Sequence, residues 1–379
     1  MGQSTADVIV IGAGTIGTAI AWRCAQRGHR VVLVDPDPQR GAWRTAAGML
    51  APITELHYTE TPLLRLGLDS LARYPEFAAE VSKESGLPVG FVECGAVLAA
   101  FDGADLATLQ RLRAFAAGLG VTAELMTGQE LRALEPALAP GLPGAIYAPG
   151  DHQVDPRLLH AALLAACRAR GVEFVESAAA VLTDQGRVRG ARVSGGRVLA
   201  SRYVVVAAGS WSAHVEGMPA GVAPPVRPVK GQTLRLLLPG RPRLTRIVRG
   251  LVKGSPVYLV PRADGRIVIG ASSEEQGFDV APRAGAVYEL LRDAQSLLPE
   301  LGEAVLEEVS TGLRPGSPDN APIIGPTAVD GLVHASGHYR NGILLTPVTA
   351  DAIAGLVTGG TLPEELGPFS PMRFAAVTT

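Results

Sequence analysis

Cysteine is scarce in this sequence, and lysine no commoner. Cys24, Cys94 and Cys167 are far apart and odd in number. They form no CxxC pair, which argues against a disulfide framework or a structural zinc site. The 7 histidines are scattered without metal-ligand spacing, so no metal is expected. Of the 34 basic residues, the lysines are Lys83, Lys230 and Lys253 alone. That bias fits a GC-rich genome and lowers the weight of any single Arg. A net charge of −2 offers no electrostatic reason to expect nucleic acid or an anionic membrane as partner. Long apolar runs are missing too. The stretch from Val8 to Trp22 comes nearest, but no Lys or Arg precedes it, Asp7 abuts it and three glycines punctuate it, unlike a signal peptide. Nothing else approaches the ~18 uninterrupted apolar residues of a membrane helix. A soluble, cytoplasmic protein is the expectation.

What is present is core in quantity. With 379 residues, 47% hydrophobic and 18% charged, the chain is long enough for two or three globular domains. The N-terminus reads as one βαβ unit. Val8–Ile11 suits a buried parallel strand, a glycine-rich turn follows, and Ile16, Ala19, Ile20 and Cys24 share one side of a helix. Gly28 is placed to end that helix, and Val31–Val34 resumes as a strand closing at Asp35.

Within this unit, Gly12-Ala13-Gly14-Thr15-Ile16-Gly17 is a GxGxxG run between strand and helix, the context the motif requires. Its glycines permit a tight turn and close approach of backbone to a pyrophosphate, which the helix N-terminus then meets with free amides. Asp35 is placed to bind ribose hydroxyls, which disfavours a 2′-phosphate. An adenine dinucleotide is the expected ligand. Small residues in Arg44-Thr45-Ala46-Ala47-Gly48-Met49-Leu50 would let backbone approach an extended cofactor.

Later elements are mixed. Thr127-Gly128-Gln129-Glu130 fits a capping box, and Asp155-Pro156 starts a helix with Leu158, Leu159, Ala162, Leu163 and Ala166 on one face. Tyr203–Ala207 is another buried strand. From Val226 to Ile269 strand-like runs separated by Pro and Gly turns predict an antiparallel sheet. A helix near Ala284–Leu298, a strand near Val305–Val309 and a helix from about Gly342 to Val357 complete the expectation. The fold class is α/β joined to α+β.

Five segments together resemble the D-amino-acid oxidase family of flavoproteins, on its branch of glycine oxidases of thiamine biosynthesis. They are the N-terminal fingerprint, Thr45–Leu50, VVVAAGSW at Val204–Trp211, VYLVPR at Val257–Arg262 before Gly270–Ser272, and GLRP at Gly312–Pro315 with GHYRNGILL at Gly337–Leu345. The resemblance implies a Rossmann-like FAD-binding domain from residues 1–88, 150–220 and 312–379. Residues 89–149 and 221–311 would form a substrate domain on a mainly antiparallel sheet. It implies that Arg314 binds the substrate carboxylate, with Tyr258 donating a second hydrogen bond and Arg340 nearby. FAD would contact Gly12, Gly14, Thr15, Ile16, Gly17, Asp35, Arg44, Thr45, Ala47, Gly48, Met49 and Val181. His338, Tyr339, Arg340, Asn341, Gly342, Ile343 and Leu344 would wrap the flavin ring.

The chemistry agrees with that assignment. An amino-acid substrate needs a carboxylate anchor, and an Arg fork matches two carboxylate oxygens where Lys cannot. A helix starting after Asn341-Gly342 would face charge developing on the flavin, and Asn and Gly there suit a strained turn. Relatives with covalent FAD use a Cys in the C-terminal part or a His before the early Gly. Here no Cys follows Cys167 and Thr45 takes the place of the His, so non-covalent FAD is expected. The implied reaction is hydride transfer from Cα to flavin N5 without a general base, giving an imine, then oxoacid and ammonia, with O2 reduced to hydrogen peroxide. Rivals are a sarcosine or other secondary-amine oxidase and a quinone-linked D-amino-acid dehydrogenase, for which no basic amphipathic docking segment is seen. A catalytically silent flavin-binding partner protein is the non-enzyme alternative. The family suggests a homo-oligomer, often a tetramer.

Overall fold

The computed structural model describes residues 4–238 and 244–374; the outer ends of the expected spans 1–88 and 312–379 lie outside the described residues. Two eight-stranded sheets organise the chain. In the first, Ser4–Ile11 is flanked in parallel by Val198–Val206 and Val31–Val34. Leu332–Ser336 and Glu173–Val175 extend it on either side, also in parallel. Its strands are β-branched because both faces are covered. Val8, Val10 and Val205 enter a core shared with helices, whereas Ile9, Ile11, Val204 and Val206 enter another on the opposite face.

The helices Thr15–Gln26, Thr61–Ser85, Pro156–Ala169 and Thr346–Val357 pack on one another beside this sheet. Asp155 caps the third as its sequence implied, accepting from the amides of Arg157 and Leu158. Leu159, Ala162, Leu163 and Ala166 are buried, but Leu158 is 41% exposed, because a 3.6-residue period turns it off the apolar stripe. Thr61–Ser85 belongs to no sequence motif, although Leu63, Leu66, Tyr74, Phe77 and Val81 bury one flank of it.

The second sheet runs Val305–Gly316, Arg227–Leu237, Arg266–Gly270, Ser255–Pro261, Ile247–Val252, Ala96–Ala100, Gly144–Ala148, Glu124–Thr127. All its described pairs are antiparallel except Ile247–Val252 with Ala96–Ala100. The helix Ala284–Leu297 covers it with Leu290, Ala294 and Leu297. The capping box is present: the Thr127 hydroxyl accepts from the Glu130 amide while Glu130 accepts from the Thr127 amide.

One strand is longer than the alternation of its side chains implied. The strand expected near Val305–Val309 runs on to Gly316 and pairs with Arg227–Leu237 along its length. Gly312 and Pro315 break the apolar pattern, yet an edge strand tolerates both. The division expected at 311/312 falls inside this strand, and Arg314 therefore stands on the second sheet.

Candidate active site

Both sheets line one cavity of about 490 Å³. At one end lies the glycine-rich turn. A Cβ on Gly12 (φ +110°) would strike the Ala207 backbone, and one on Gly17 would overlap the Gly12 carbonyl oxygen. Both glycines serve the protein's own packing; Gly12 lines the cavity as well, whereas Gly17 does not. Gly14 lines the cavity, and a Cβ there would meet no protein atom. Among the described residues, the helix starting at Thr15 has no side-chain cap and the buried Thr15 hydroxyl has no partner. An open glycine, an uncapped helix N-terminus and an orphaned hydroxyl form a cradle that fits a pyrophosphate.

The turn is braced through Ala13. Its amide donates to Asp35 Oδ2 (2.6 Å), and its carbonyl accepts from Thr18 Oγ1 (3.1 Å) and His160 Nε2 (2.8 Å). The last bond places the His160 proton on Nε2, and burial holds the ring neutral by pushing its pKa down to about 4. Asp35 also accepts from the Asp37 amide and lines the cavity; burial raises its carboxyl. His160 stacks at 3.9 Å on Trp43, which lines the cavity and whose buried indole N–H has no partner among the described residues. Neither residue sits in a recognisable motif, so sequence reasoning missed both.

The low His160 pKa has a consequence for stability. Between about pH 6.5 and 4 the unfolded chain takes up a proton at this position that the native fold does not. Stability present above the unfolded pKa is therefore lost as pH falls through this window. A shift from 6.5 to about 4 corresponds to roughly 3 kcal/mol. We expect the wild-type melting temperature to fall more steeply over that range than that of His160→Gln; parallel curves would show that His160 titrates normally.

Further along, Thr45, Ala47, Gly48, Met49, His338, Tyr339, Arg340, Gly342 and Ile343 line the cavity. Besides Gly17, four other expected cofactor contacts do not: Arg44, Val181, Asn341 and Leu344. The Arg44 side chain is exposed, while its carbonyl accepts from Arg157 and Arg235. Val181 is core, its amide spent on the Glu216 carbonyl. Asn341 also lies off the wall, its carbonyl accepting from the Leu345 amide.

Leu344 is the fourth, and it shows why the last helix starts at Thr346 and not near Gly342. Pro347 has no N–H for the Ile343 carbonyl, which accepts instead from Tyr74 Oη at 2.6 Å and from the Thr346 amide at 3.2 Å. Ser70 Oγ donates to the Leu344 carbonyl (2.6 Å) and accepts from the Val348 amide (3.4 Å), standing between two groups that would otherwise bond in a helix. Helix Thr61–Ser85 thus holds the turn that faces the cavity. The left-handed residues are Gly337 (φ +69°) and Tyr339 (φ +47°), not Asn341 or Gly342 as expected. Strain sits where the Tyr339 amide reaches the Pro315 carbonyl at 3.0 Å.

The other end of the cavity is the second sheet. Arg314 and Tyr258 both line it, and Arg314 makes no ion pair among the described residues. Its Nη1 donates to the Ser272 carbonyl (3.0 Å). Burial raises the Tyr258 hydroxyl pKa while Arg314 opposes the rise, so the phenol stays protonated and can donate. Ser210 of VVVAAGSW donates to the Leu313 carbonyl (2.9 Å), fixing the strand beside Arg314. Near the rim, Glu55 pairs with Arg249 (3.6 Å) and Arg340 with Glu60 (3.7 Å). A guanidinium without an ion-pair partner among the described residues and a protonated phenol in one cavity suit a small carboxylate. Among the described residues no helix is long and apolar enough to cross a membrane.

Comparison with known proteins bears on this arrangement. Residues 7–356 match the family described as FAD dependent oxidoreductase. The chain is 36% identical to a glycine oxidase of Geobacillus kaustophilus, covering 97% of each. A crystal structure of glycine oxidase from that organism superposes with a TM-score of 0.90 at 35% identity, covering 98% of this chain and 99% of the other. Hydrogen cyanide synthase subunit HcnC of Pseudomonas aeruginosa is 32% identical over 98% of this chain and 96% of its own. A bifunctional ThiO/ThiG protein of Synechocystis is 34% identical over 99% of this chain, which spans 55% of that longer protein.

Proposed function

This chain belongs to the family of FAD dependent oxidoreductases, and on that premise we propose that it oxidises glycine and related small amines at the cavity between its two sheets. The observation that carries the reading is the guanidinium of Arg314, without an ion-pair partner among the described residues, beside Tyr258 in that cavity.

When bound, FAD would supply the hydride acceptor, and oxygen would be the oxidant that takes the electrons onward as hydrogen peroxide. Its pyrophosphate would rest on Gly14 and Thr15, its ribose on Asp35, and its ring along Thr45, Ala47–Met49, His338–Arg340, Gly342 and Ile343. The chain's own residues need then only bind and orient. Arg314 takes the substrate carboxylate with its free donors, and Tyr258 adds a second hydrogen bond. Arg340, tethered to Glu60, guards the rim. With the carboxylate fixed and the amine neutral, the Cα hydrogen has one direction in which to leave, and no general base is required. The imine released hydrolyses to oxoacid and ammonia or, as the likeness to ThiO/ThiG supports, feeds the thiazole of thiamine.

Anaerobic glycine should bleach the yellow protein, and admitted oxygen should restore the colour with one peroxide per turnover. Denaturation should release all flavin as free FAD. Bleaching by sarcosine or D-alanine but not glycine would move the substrate; bleached flavin that oxygen does not restore would favour a quinone-linked dehydrogenase. The full-length likeness to HcnC supports a second reading, a glycine-oxidising subunit of a cyanide-forming assembly, which a cyanide assay on the same samples separates.

A further inference from the structure

The segment Val229–Gln232 (VKGQ) has no place in the chemistry above, yet it holds a fully buried ammonium. Lys230 shows no exposed surface, in a chain whose 34 basic residues include two other lysines only. Its Nζ donates to the Ala281 carbonyl at 2.5 Å and lies 3.6 Å from Asp279 and 3.8 Å from Glu274. All three partners belong to one segment, residues 272–283, which runs from the strand Arg266–Gly270 toward the helix Ala284–Leu297.

The rest of the motif grips the same segment. The amides of Lys230 and Glu274 each donate to the other's carbonyl at 2.9 Å. The Gln232 side chain donates to Glu274 (2.7 Å) and accepts from the Arg283 amide (2.8 Å), while its own amide donates to Ser272 Oγ (2.9 Å). Gly231 leaves the space that Arg314 occupies, since a Cβ there would overlap the guanidinium. The described acceptors of Arg314 are the carbonyls of Ser272 (3.0 Å) and of Lys230 itself (3.5 Å). One belongs to the segment, the other to the motif that grips it. On its far side the segment packs Phe278 against Trp211 of the cavity wall, ring centroids 5.7 Å apart.

We propose that Lys230 is a positioning residue for the carboxylate anchor: by clasping residues 272–283 to the strand Arg227–Leu237 it fixes the two carbonyls that aim Arg314. This rests on the reading of Arg314 as that anchor. A compact ammonium with three tetrahedral donors fits one carbonyl and two carboxylates, where the broad planar fork of Arg does not. Without the cation, Glu274 and Asp279 lose the charge that draws them in. Ser272 then moves with the segment, and the guanidinium loses its direction. Displacement of a binding group by about 1 Å is worth up to ~100-fold in kcat/KM.

The test uses FAD-loaded wild type, Lys230→Met, Arg314→Ala and the double variant. Acetate, a carboxylate without an amine, is titrated against the flavin absorbance, and kcat and KM are measured with glycine. Lys230→Met should weaken acetate binding and raise KM by roughly 10- to 100-fold, with kcat and FAD content little changed, while the loss of a buried cation lowers the melting temperature. In the Arg314→Ala background it should cost almost nothing more in kcat/KM, because there is no anchor left to aim. Normal acetate binding in Lys230→Met beside a defective Arg314→Ala overturns this inference alone, and so does an equal loss in both backgrounds. Normal acetate binding in Arg314→Ala removes the anchor reading itself. Should Lys230→Met not fold, Gln232→Met, which releases the segment at another point, must show the same pattern. Failure of both to fold would make the motif a folding element and overturn the proposal.

Discussion

Arg314→Ala is expected to weaken apparent glycine affinity by roughly 30- to 3,000-fold while leaving FAD bound. The range follows from the ~2–5 kcal/mol that removal of one partner from a buried charge pair typically costs, at 1.4 kcal/mol per tenfold. The setting favours the upper half. Arg314 is without an ion-pair partner among the described residues, and its described protein bonds run from Nη1, which leaves Nε and Nη2 for a ligand. Its strand cannot easily drift, because Ser210 holds the Leu313 carbonyl and Pro315 restricts the backbone before it. Arg314→Lys should recover part of the loss, since a point charge cannot reproduce the fork. Steady-state kinetics with glycine and a flavin absorbance ratio decide the matter. Near-normal turnover in Arg314→Ala would make it a structural arginine.

Substitution of two glycines of the N-terminal turn should separate folding from cofactor binding. At Gly12, φ is +110° and a Cβ would come within 2.8 Å of Ala208 Cα and closer still to Ala207. Gly12→Ala therefore combines backbone strain of ~1–3 kcal/mol with overpacking of ~1–3 kcal/mol. It should lower the melting temperature of the FAD-free protein as well as its FAD affinity. Gly14 has an ordinary φ and faces the cavity, so its Cβ meets no protein atom. Gly14→Ala should leave the FAD-free protein as stable as wild type. The added methyl would stand where a pyrophosphate approaches, and ~1–3 kcal/mol of overpacking raises the FAD dissociation constant by roughly 5- to 150-fold. Calorimetry of the FAD-free protein and fluorescence titration with FAD read the two effects separately. Unchanged FAD affinity in Gly14→Ala would mean that the cofactor does not touch the turn there.

Some of this was legible in the sequence and some was not. The βαβ start, the capped helices and the antiparallel run were readable because each rests on contacts within a few residues: apolar period, cap and turn chemistry. Arg314, Tyr258 and the Gly12–Gly17 turn were readable as members of short motifs. Trp43 and His160 were not, for their stack joins residues far apart in the chain and neither lies in a motif. The start of the last helix was misplaced because its first turn is decided from outside, by hydroxyls of Ser70 and Tyr74 on another helix. Lys230 was visible only as a rarity.

By itself, then, the sequence determined which local units form and which residues carry chemistry, since a glycine turn, a cap or a guanidinium owes its properties to atoms bonded or nearly adjacent along the chain. Tertiary structure alone decided what those residues face. Arg314 belongs to the cavity because a strand continues through Gly312 and Pro315 against Arg227–Leu237, and because Gly231 opposite has no side chain to fill the space. Backbone pairing and the room left by a missing Cβ are set between segments that meet only when the chain is folded.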